Sequence, residues 1–405
     1  MKILIVSQYF WPEEFRINDL AVDLVKRGHE VVVLTGKPNY PKGKIYEGYG
    51  FLSHTKDSYH GVEIFRVPLI PRGSGSGLRL AINYVSFILA ASLFVLCHRK
   101  KYDVSFTFAI SPITQAYPAL LHKRIFKSKA CVWVQDLWPE SVTAAGKMSS
   151  NNVMKCLDRM VRNIYDRTDK VLVQSEAFIQ SIHEKGVMDS KIKYMPNWAE
   201  DLYCDNSNVV NEKYQHLIPT GFRIMFAGNI GEAQDFESIV KAAELTKQYP
   251  EIKWVIVGDG RKKSWAEREV AQLGLQNNVV FLGRFSVEDM PNFFCHADLM
   301  LVTLKDEDIF SMTIPGKVQS YMAFGKPIVG MLNGIGAKVI QEADCGYISN
   351  AGDYISLAQN VIDSYLAKSD ILNKKGNNGK LYYNQYFSKE VIIDNLLDTF
   401  QELIQ

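Results

Sequence analysis

FAGNIGEAQDFESIVKAAE, residues Phe226 to Glu244, decides the fold because it contains a complete transition from strand to helix. A short apolar strand, 222–226, runs into a turn with Gly228 and Gly231, and an amphipathic helical pattern follows. The N–H groups of such a turn and of the helix start form a binding site for anions. The turn has no Lys or Arg, so the positive charge for a bound anion is expected from neighbouring loops.

The same succession of strands and helices occurs in both halves of the chain. The predicted strands are 2–7, 31–34, 103–108, 130–134 and 170–173 in the first half, and 223–227, 253–257, 279–282, 299–303 and 327–330 in the second. Continuous apolar runs separated by amphipathic helices are typical of a parallel sheet covered on both faces. The predicted fold class is therefore α/β, with two Rossmann-like, doubly wound domains facing a central cleft. Ligands of such sheets bind outside the carboxyl ends of the strands.

The domain boundary is predicted in a polar run with little periodicity, 201–220, which gives domains over 1–200 and 201–388. A length of 405 residues is too great for one ordinary core. The net charge of +2 argues against a general nucleic-acid binder. The six cysteines include no C-x-x-C pair, which predicts reduced thiols and no zinc site. The start, MKILIVSQYF, is typical of a buried strand rather than a signal peptide, so a cytoplasmic location is expected.

Five loops at predicted strand ends are candidates for binding chemistry: 228–231, 258–263, 283–285, 303–306 and 313–317. Each loop alone is also typical of an ordinary tight turn. Three of them place a cation beside glycine, namely Arg261, Arg284 and Lys317. A diphosphate suits a site in which backbone N–H groups and these borrowed cations share the negative charge.

These motifs make the chain recognisable. It resembles the GT-B glycosyltransferases of family 4, which use nucleotide-sugar donors, over essentially its whole length. The segments that carry the likeness are YFWPEE (9–14), RGHEV (27–31), GNIG (228–231), VGDG (257–260) and MAFGKP (322–327). The stretch TIPGKVQSYMAFGKP, 313–327, is most similar to bacterial N-acetyl-L-fucosaminyl transferases of O-antigen and capsule biosynthesis.

The resemblance implies a metal-independent enzyme without a cofactor. It would transfer N-acetyl-L-fucosamine from UDP to an N-acetylglucosamine on a polyprenyl diphosphate carrier, in the assembly of O-antigen or another lipopolysaccharide component. It also implies that the last helix, in 389–405, packs back on the amino-terminal, acceptor-side domain. Two alternatives stay open: a UDP-sugar 2-epimerase on the same scaffold, and a nucleotide-binding subunit of an assembly complex without catalysis.

Site residues follow from the same resemblance. Asp136 and Glu14 are the expected catalytic residues, in that order. The expected donor-binding residues are Gly228, Asn229, Gly231, Gln234, Arg261, Arg284, Phe285, Thr313, Lys317, Gln319 and Ser320. The family's pair of glutamates is replaced here by Met312 and Ser320, so Gln319 or Ser320 is the candidate for the ribose. No metal site is expected, and the acidic stretch 306–308 is interpreted as a solvated or acceptor-facing loop.

Leu80 to Cys97 is an uncharged run between Arg79 and the basic segment 98–101. As a helix it would be about 27 Å long, just short of a bilayer crossing. Three interpretations remain: a membrane-spanning helix, a buried crossover helix, or a helix that covers its own sheet and offers apolar surface to anionic lipid. The third agrees best with a lipid-linked acceptor and predicts a peripheral enzyme on the inner face of the plasma membrane.

Overall fold

The computed structural model describes residues 1–141, 151–205 and 212–405. The chain divides into two compact units, the first formed by Met1–Pro196 with Ile393–Gln405 and the second by Asn197–Ile392. The polar run 201–220 predicted as the boundary lies partly outside the described residues. Its described ends contain single 3₁₀ turns at Asp201–Tyr203 and Gln215–Leu217.

The first unit is built on a sheet that has eight strands within the described residues. The strands are β1 (Lys2–Val6), β2 (Glu30–Gly36), β3 (Lys56–Tyr59), β4 (Val62–Val67), β5 (Val104–Ala109), β6 (Lys129–Val134), β7 (Lys170–Val173) and β8 (Ile192–Tyr194). Their order is β3-β4-β2-β1-β5-β6-β7-β8. The pair β3 and β4 is antiparallel, whereas the pairs from β4 to β8 are parallel.

The described helices of this unit are α1 (Arg16–Lys26), α2 (Gly77–His98), α3 (Tyr117–Phe126), α4 (Asn151–Arg167) and α5 (Ala177–Glu184). The last helix of the chain, α14 (Lys389–Ile404), begins in the second unit and ends in the first. Within the first unit its Phe400 ring lies 5.6 Å from that of Phe106 in β5.

The second unit has a parallel sheet in the order β11-β10-β9-β12-β13-β14. Its strands are β9 (Phe222–Ala227), β10 (Ile252–Val257), β11 (Val279–Gly283), β12 (Leu299–Thr303), β13 (Ile328–Met331) and β14 (Gly346–Ser349). Its described helices are α6 (Phe236–Leu245), α7 (Lys263–Gln272), α8 (Met290–Phe294), α9 (Asp308–Ser311), α10 (Gly316–Phe324), α11 (Ile335–Glu342), α12 (Tyr354–Leu366) and α13 (Ser369–Tyr386). The prediction of two doubly wound parallel sheets is confirmed.

Helix α2 connects β4 to β5 and packs on the first sheet with one face only. Phe87, Ala91 and Val95 are buried in one cluster with the side chains of β1 and β2. The opposite face is apolar yet exposed; its exposed large side chains are Leu78, Ile82, Val85, Leu89, Leu93 and Leu96. The helix is long and apolar enough to cross a membrane, and 28% of its most apolar 18-residue stretch is buried. The interpretation as a fully buried crossover helix is therefore wrong.

Candidate functional site

A cavity of about 730 Å³ opens at the carboxyl ends of β9, β10 and β11 in the second unit. The donor-binding residues predicted from sequence that line it are Gly228, Asn229, Arg261, Arg284, Phe285, Lys317 and Ser320. The predicted residues that are not part of its lining are Gly231, Gln234, Thr313 and Gln319. The structure thus brings loops from four separate elements together at one edge of the sheet, as expected for a doubly wound fold.

The first glycine turn differs from its prediction. Helix α6 begins at Phe236, and a 3₁₀ turn, Glu232–Gln234, separates it from the Gly228–Gly231 turn. Asp235 adopts a left-handed conformation with φ of 48°, and its carboxylate accepts a hydrogen bond from the Ser238 N–H. The helix therefore begins later than the sequence pattern indicated, and an acidic side chain caps its start. Anion binding by the Gly228–Gly231 turn stays a prediction.

A second helix start lies at the cavity instead. Helix α10 begins at Gly316 after Pro315, which supplies no side-chain cap. Lys317, Ser320 and Tyr321 of this helix line the cavity. Its first N–H groups therefore have the arrangement that binds a phosphate at a helix N-terminus.

Two glycines allow the β9 and β10 loops to approach each other at the cavity. Gly258 and Gly260 have φ of 153° and 159°. A methyl group on Gly258 would collide with the carbonyl oxygen of Gly228, and one on Gly260 with that of Ile230. Side chains are excluded at both positions, so backbone groups of these loops form part of the cavity surface.

The Lys317 amine is the most distinctive charged group of the cavity. It lies 4.8 Å from the ring centroid of Phe226, and desolvation lowers its pKa from the usual 10.5 to about 8. The ion pairs found among the described residues give it no carboxylate partner. A cation removed from water without a counter-charge is costly to the folded protein unless a ligand supplies the charge.

The other cations near the cavity fall into two groups. Arg261 and Arg284 line it and are exposed, again without a carboxylate partner among the described ion pairs. Lys262 and Lys305 both pair with Glu232, and Lys262 also contacts Glu237 at 3.0 Å. The lining cations are therefore available to an anion, whereas the two lysines are occupied by neighbouring acids.

The cavity also has an apolar and aromatic part. Its lining includes Phe285, Val287, Met290, Phe294 and Tyr203. A cavity lined by both cations and aromatic side chains matches a ligand with a diphosphate and a heterocyclic base.

The two candidates for the ribose now differ in position. The Gln319 side chain is buried and donates to the carbonyl oxygen of Asn197, so it supports the loop at the start of this unit. Ser320 lines the cavity. Ser320 is therefore the residue of the two that is available to a bound nucleotide.

In the first unit, Asp136 follows β6 and is oriented by the loop after β5. Its Oδ2 accepts hydrogen bonds from the Ser111 N–H at 3.1 Å and from the Ser111 hydroxyl at 3.0 Å. The Trp138 indole N–H donates to the same hydroxyl at 3.1 Å. The Asp136 carboxylate is therefore bonded across to the neighbouring loop.

The two glutamates after β1 differ in burial. Glu14 is exposed, whereas Glu13 is buried. Glu13 Oε1 accepts hydrogen bonds from the N–H groups of Asn39 at 2.8 Å and Tyr40 at 2.6 Å. Burial raises the pKa of Glu13 to about 7, an effect that these backbone donors oppose. Sequence reasoning missed this residue because two adjacent glutamates give no signal of which one turns inward.

Within the described residues, no group of three or more His, Cys, Asp or Glu side chains is arranged to hold a metal ion. In the acidic stretch 306–308, the Asp306 carboxylate accepts a hydrogen bond from the Asn333 side chain at 2.8 Å.

Comparison with known protein families assigns both halves. Residues 14–198 match the model described as glycosyl transferase 4-like domain. Residues 221–366 match the model described as glycosyl transferases group 1. The first match lies in the first unit except for its last two residues, and the second match lies in the second unit.

Individual relatives agree with this assignment. The chain is 26% identical to the putative colanic acid biosynthesis glycosyl transferase WcaI of Escherichia coli K12, over 80% of this chain and 82% of that protein. It is also 26% identical to the probable glycosyltransferase WbjE of Pseudomonas aeruginosa, over 73% and 74% of the two chains. Among solved structures, Anabaena Alr3699/HepE in complex with UDP superposes with a TM-score of 0.69 and 16% identity, over 100% of both chains.

Proposed function

Since this chain is a GT-B glycosyltransferase with a 4-like amino-terminal domain and a group 1 carboxyl-terminal domain, we propose that it transfers N-acetyl-L-fucosamine from a UDP donor. The acceptor is an N-acetylglucosamine linked to a polyprenyl diphosphate carrier. The product enters the assembly of a bacterial surface polysaccharide such as O-antigen. The name of the Escherichia coli relative, which refers to colanic acid biosynthesis, supports this class of pathway.

One observation carries the donor assignment: Lys317 has a desolvated amine with no carboxylate partner among the described ion pairs, at the uncapped start of α10. A diphosphate supplies the missing negative charge, and the N–H groups of α10 supply hydrogen-bond donors. Arg261 and Arg284 add charge, while Phe285 provides an aromatic surface for uracil. The UDP complex of the Anabaena relative is consistent with this choice of nucleotide.

The chemistry follows from the same groups. The bond between the anomeric carbon and the UDP oxygen breaks, and the acceptor hydroxyl oxygen forms the new bond to that carbon. Lys317 and the α10 N–H groups stabilise the charge that develops on UDP, which removes the need for a metal ion. If configuration is retained, the departing phosphate takes the hydroxyl proton; if it is inverted, Asp136 takes it as general base.

The acceptor explains the exposed face of α2. Leu78, Leu89 and Leu93 are 74%, 67% and 61% exposed, although they belong to the most apolar helix of the described chain. Arg79 and Arg99 flank this face, and both are exposed. We assign the face to the surface of the inner membrane, where apolar side chains enter the acyl boundary and flanking cations meet anionic headgroups.

The test is incubation of the full chain with a panel of UDP-sugars and a synthetic N-acetylglucosamine diphosphate lipid, in the presence and absence of EDTA. The proposal expects one preferred donor, an unchanged rate in EDTA, and a disaccharide whose linkage is determined by NMR. A changed sugar configuration without acceptor would indicate an epimerase. UDP-sugar binding without turnover on any acceptor would indicate a non-catalytic subunit.

A further inference from the structure

We propose that Arg72 holds the phosphate of the lipid-linked acceptor, with the lipid chain directed along the exposed apolar turn of α2. The inference rests on the proposed function for the identity of the acceptor. It adds a binding site in the first unit, separate from the donor cavity of the second.

The environment of Arg72 lacks the acid that normally accompanies a guanidinium. Among the described ion pairs no carboxylate contacts it. Its guanidinium carbon lies 5.0 Å from the ring centroid of Tyr40, and its backbone N–H donates to Asn39 Oδ1 at 3.2 Å. Aromatic stacking and a fixed backbone therefore position the group, while its five N–H donors are suited to a bidentate phosphate contact.

The surroundings of Arg72 connect it to Asp136. Burial raises the pKa of the Tyr84 phenol; the Arg72 charge opposes this and the Asp136 charge adds to it, so both groups lie within electrostatic range of one hydroxyl. The Tyr84 ring is also 6.4 Å from that of Trp138, beside Asp136. A phosphate on Arg72 would thus place the sugar attached to it on the side of Asp136, the carboxylate expected to be catalytic.

The loop that carries Arg72 is attached to α2 at the turn where the apolar face is exposed. The Asn83 side chain donates to the carbonyl oxygen of Ile70 at 2.6 Å, and the Ile70 N–H donates to the Ser86 hydroxyl at 2.9 Å. Ile70, Ile82 and Val85 are 39%, 37% and 52% exposed. An uncompensated cation next to exposed aliphatic side chains matches one kind of ligand, a phosphate ester of a long hydrocarbon.

The first experiment measures binding without relying on sugar transfer. The full-length protein in neutral detergent is titrated with a short-chain polyprenyl diphosphate and with the corresponding polyprenol, and indole fluorescence is followed. The wild type is expected to bind the diphosphate at least tenfold more tightly than the alcohol, because a charge-assisted contact contributes on the order of tenfold. Arg72→Gln should abolish this preference, Arg72→Lys should recover part of it, and Lys42→Gln should retain it. Lys42 is the matched control, since it lies over the ring of Tyr46 in the same way, at 5.5 Å.

The second experiment measures transfer to the diphosphate lipid and to the same sugar on a neutral alkyl chain. Arg72→Gln should raise the KM for the diphosphate-linked acceptor at least tenfold. The KM for the neutral alkyl acceptor and the KM for the donor should stay nearly unchanged. An equal loss on both acceptors, or an unchanged binding preference, would overturn the inference. A defect confined to vesicles of phosphatidylglycerol, with normal behaviour in micelles, would assign Arg72 to headgroups and would also overturn it. If Arg72→Gln loses the preference for the diphosphate but the wild type transfers no sugar to any acceptor, the proposed function is rejected. The phosphate site at Arg72 is then still supported.

Discussion

Glu13 in the first unit and Lys317 in the second are both desolvated at the carboxyl edge of their sheets, and their surroundings differ. In the first unit Glu13 receives two backbone hydrogen bonds from the loop after β2. In the second unit Lys317 contacts an aromatic ring and faces a cavity. A buried charge satisfied by its own backbone supports the architecture, whereas one left without a counter-charge indicates the position of a ligand.

The largest expected effect tests whether the first unit contributes to catalysis and the second to donor binding. Asp136→Asn keeps the shape of the side chain but removes its charge. If the reaction inverts configuration, with Asp136 as general base, kcat should fall about 1,000-fold, within the range for loss of an acid–base group. The affinity for the UDP donor, measured by calorimetry, should stay within about twofold because Asp136 belongs to the first unit. If Asp136→Asn instead binds the donor more weakly and keeps its kcat, the assignment of catalysis to the first unit and donor binding to the second is contradicted.

Lys317→Ala should have the opposite signature. Donor kcat/KM should fall about 100-fold, the effect of removing one preorganised group from a developing anion, and the melting temperature should not decrease because a desolvated charge is lost. Lys305→Ala is the matched control, since Lys305 is paired with Glu232 and is not part of the cavity lining. Its kcat/KM should change less than about threefold. Equal effects in both variants would contradict the distinction between free and paired cations.

The units also differ in their surfaces. Leu89→Asp together with Leu93→Asp should reduce binding to phosphatidylglycerol vesicles about 100-fold, because each exposed leucine contributes on the order of 1.5 kcal/mol when it enters an apolar phase. The comparison is with Ile355→Asp, a side chain 63% exposed on the second unit. Sedimentation with vesicles measures the difference. If the double variant binds vesicles as tightly as the wild type, the exposed face of α2 does not contact the membrane.

Glu13 gives a pH dependence of stability with a defined sign. Its pKa is raised by burial to about 7 in the folded protein, so its protonated form is favoured there and the stabilisation is complete below the ordinary value near 4.5. That stabilisation is lost as the pH rises through 7, by about 2 kcal/mol between pH 5 and pH 7. Denaturant unfolding of the wild type and of Glu13→Gln measures it as the difference between the two. Parallel pH profiles would mean that Glu13 does not titrate in this range.

The smallest effect is the pH dependence of donor binding. Lys317 has a pKa of about 8, so its amine loses its charge as the pH rises through that value. The donor Kd of the wild type should rise about tenfold from pH 7 to pH 9, the change in the protonated fraction. Lys317→Arg keeps its charge over this range and should show a flat profile. The same slope in both proteins would assign the effect to another group.

The parallel sheets could be predicted because their strands are short continuous apolar runs. Such runs are typical of strands that are buried on both faces of a sheet. The sequence did not predict β3, Lys56–Tyr59, since KDSY is a polar edge strand without an apolar pattern. It also placed the start of α6 too early, because a glycine turn followed by a helical pattern does not show that Asp235 delays and caps the helix.

Site residues could be predicted where the strand order brings them together. Gly228, Arg261 and Arg284 follow adjacent strands, so a parallel sheet places them at one edge. Arg72 and Glu13 could not be found in this way. Their environment depends on tertiary contacts of irregular loops, and no spacing in the sequence encodes which side chain of such a loop turns inward.

The exposed face of α2 has a consequence for how the enzyme should be assayed. With its 22 residues the helix is about 33 Å long. On the proposal that its exposed face lies at a bilayer, the protein searches a plane rather than a volume. Encounter with a carrier-bound substrate then depends on the number of carriers per unit area of lipid. Adding more of the same bilayer at a fixed amount of carrier should slow the reaction through surface dilution, although the bulk concentration of every reactant stays the same.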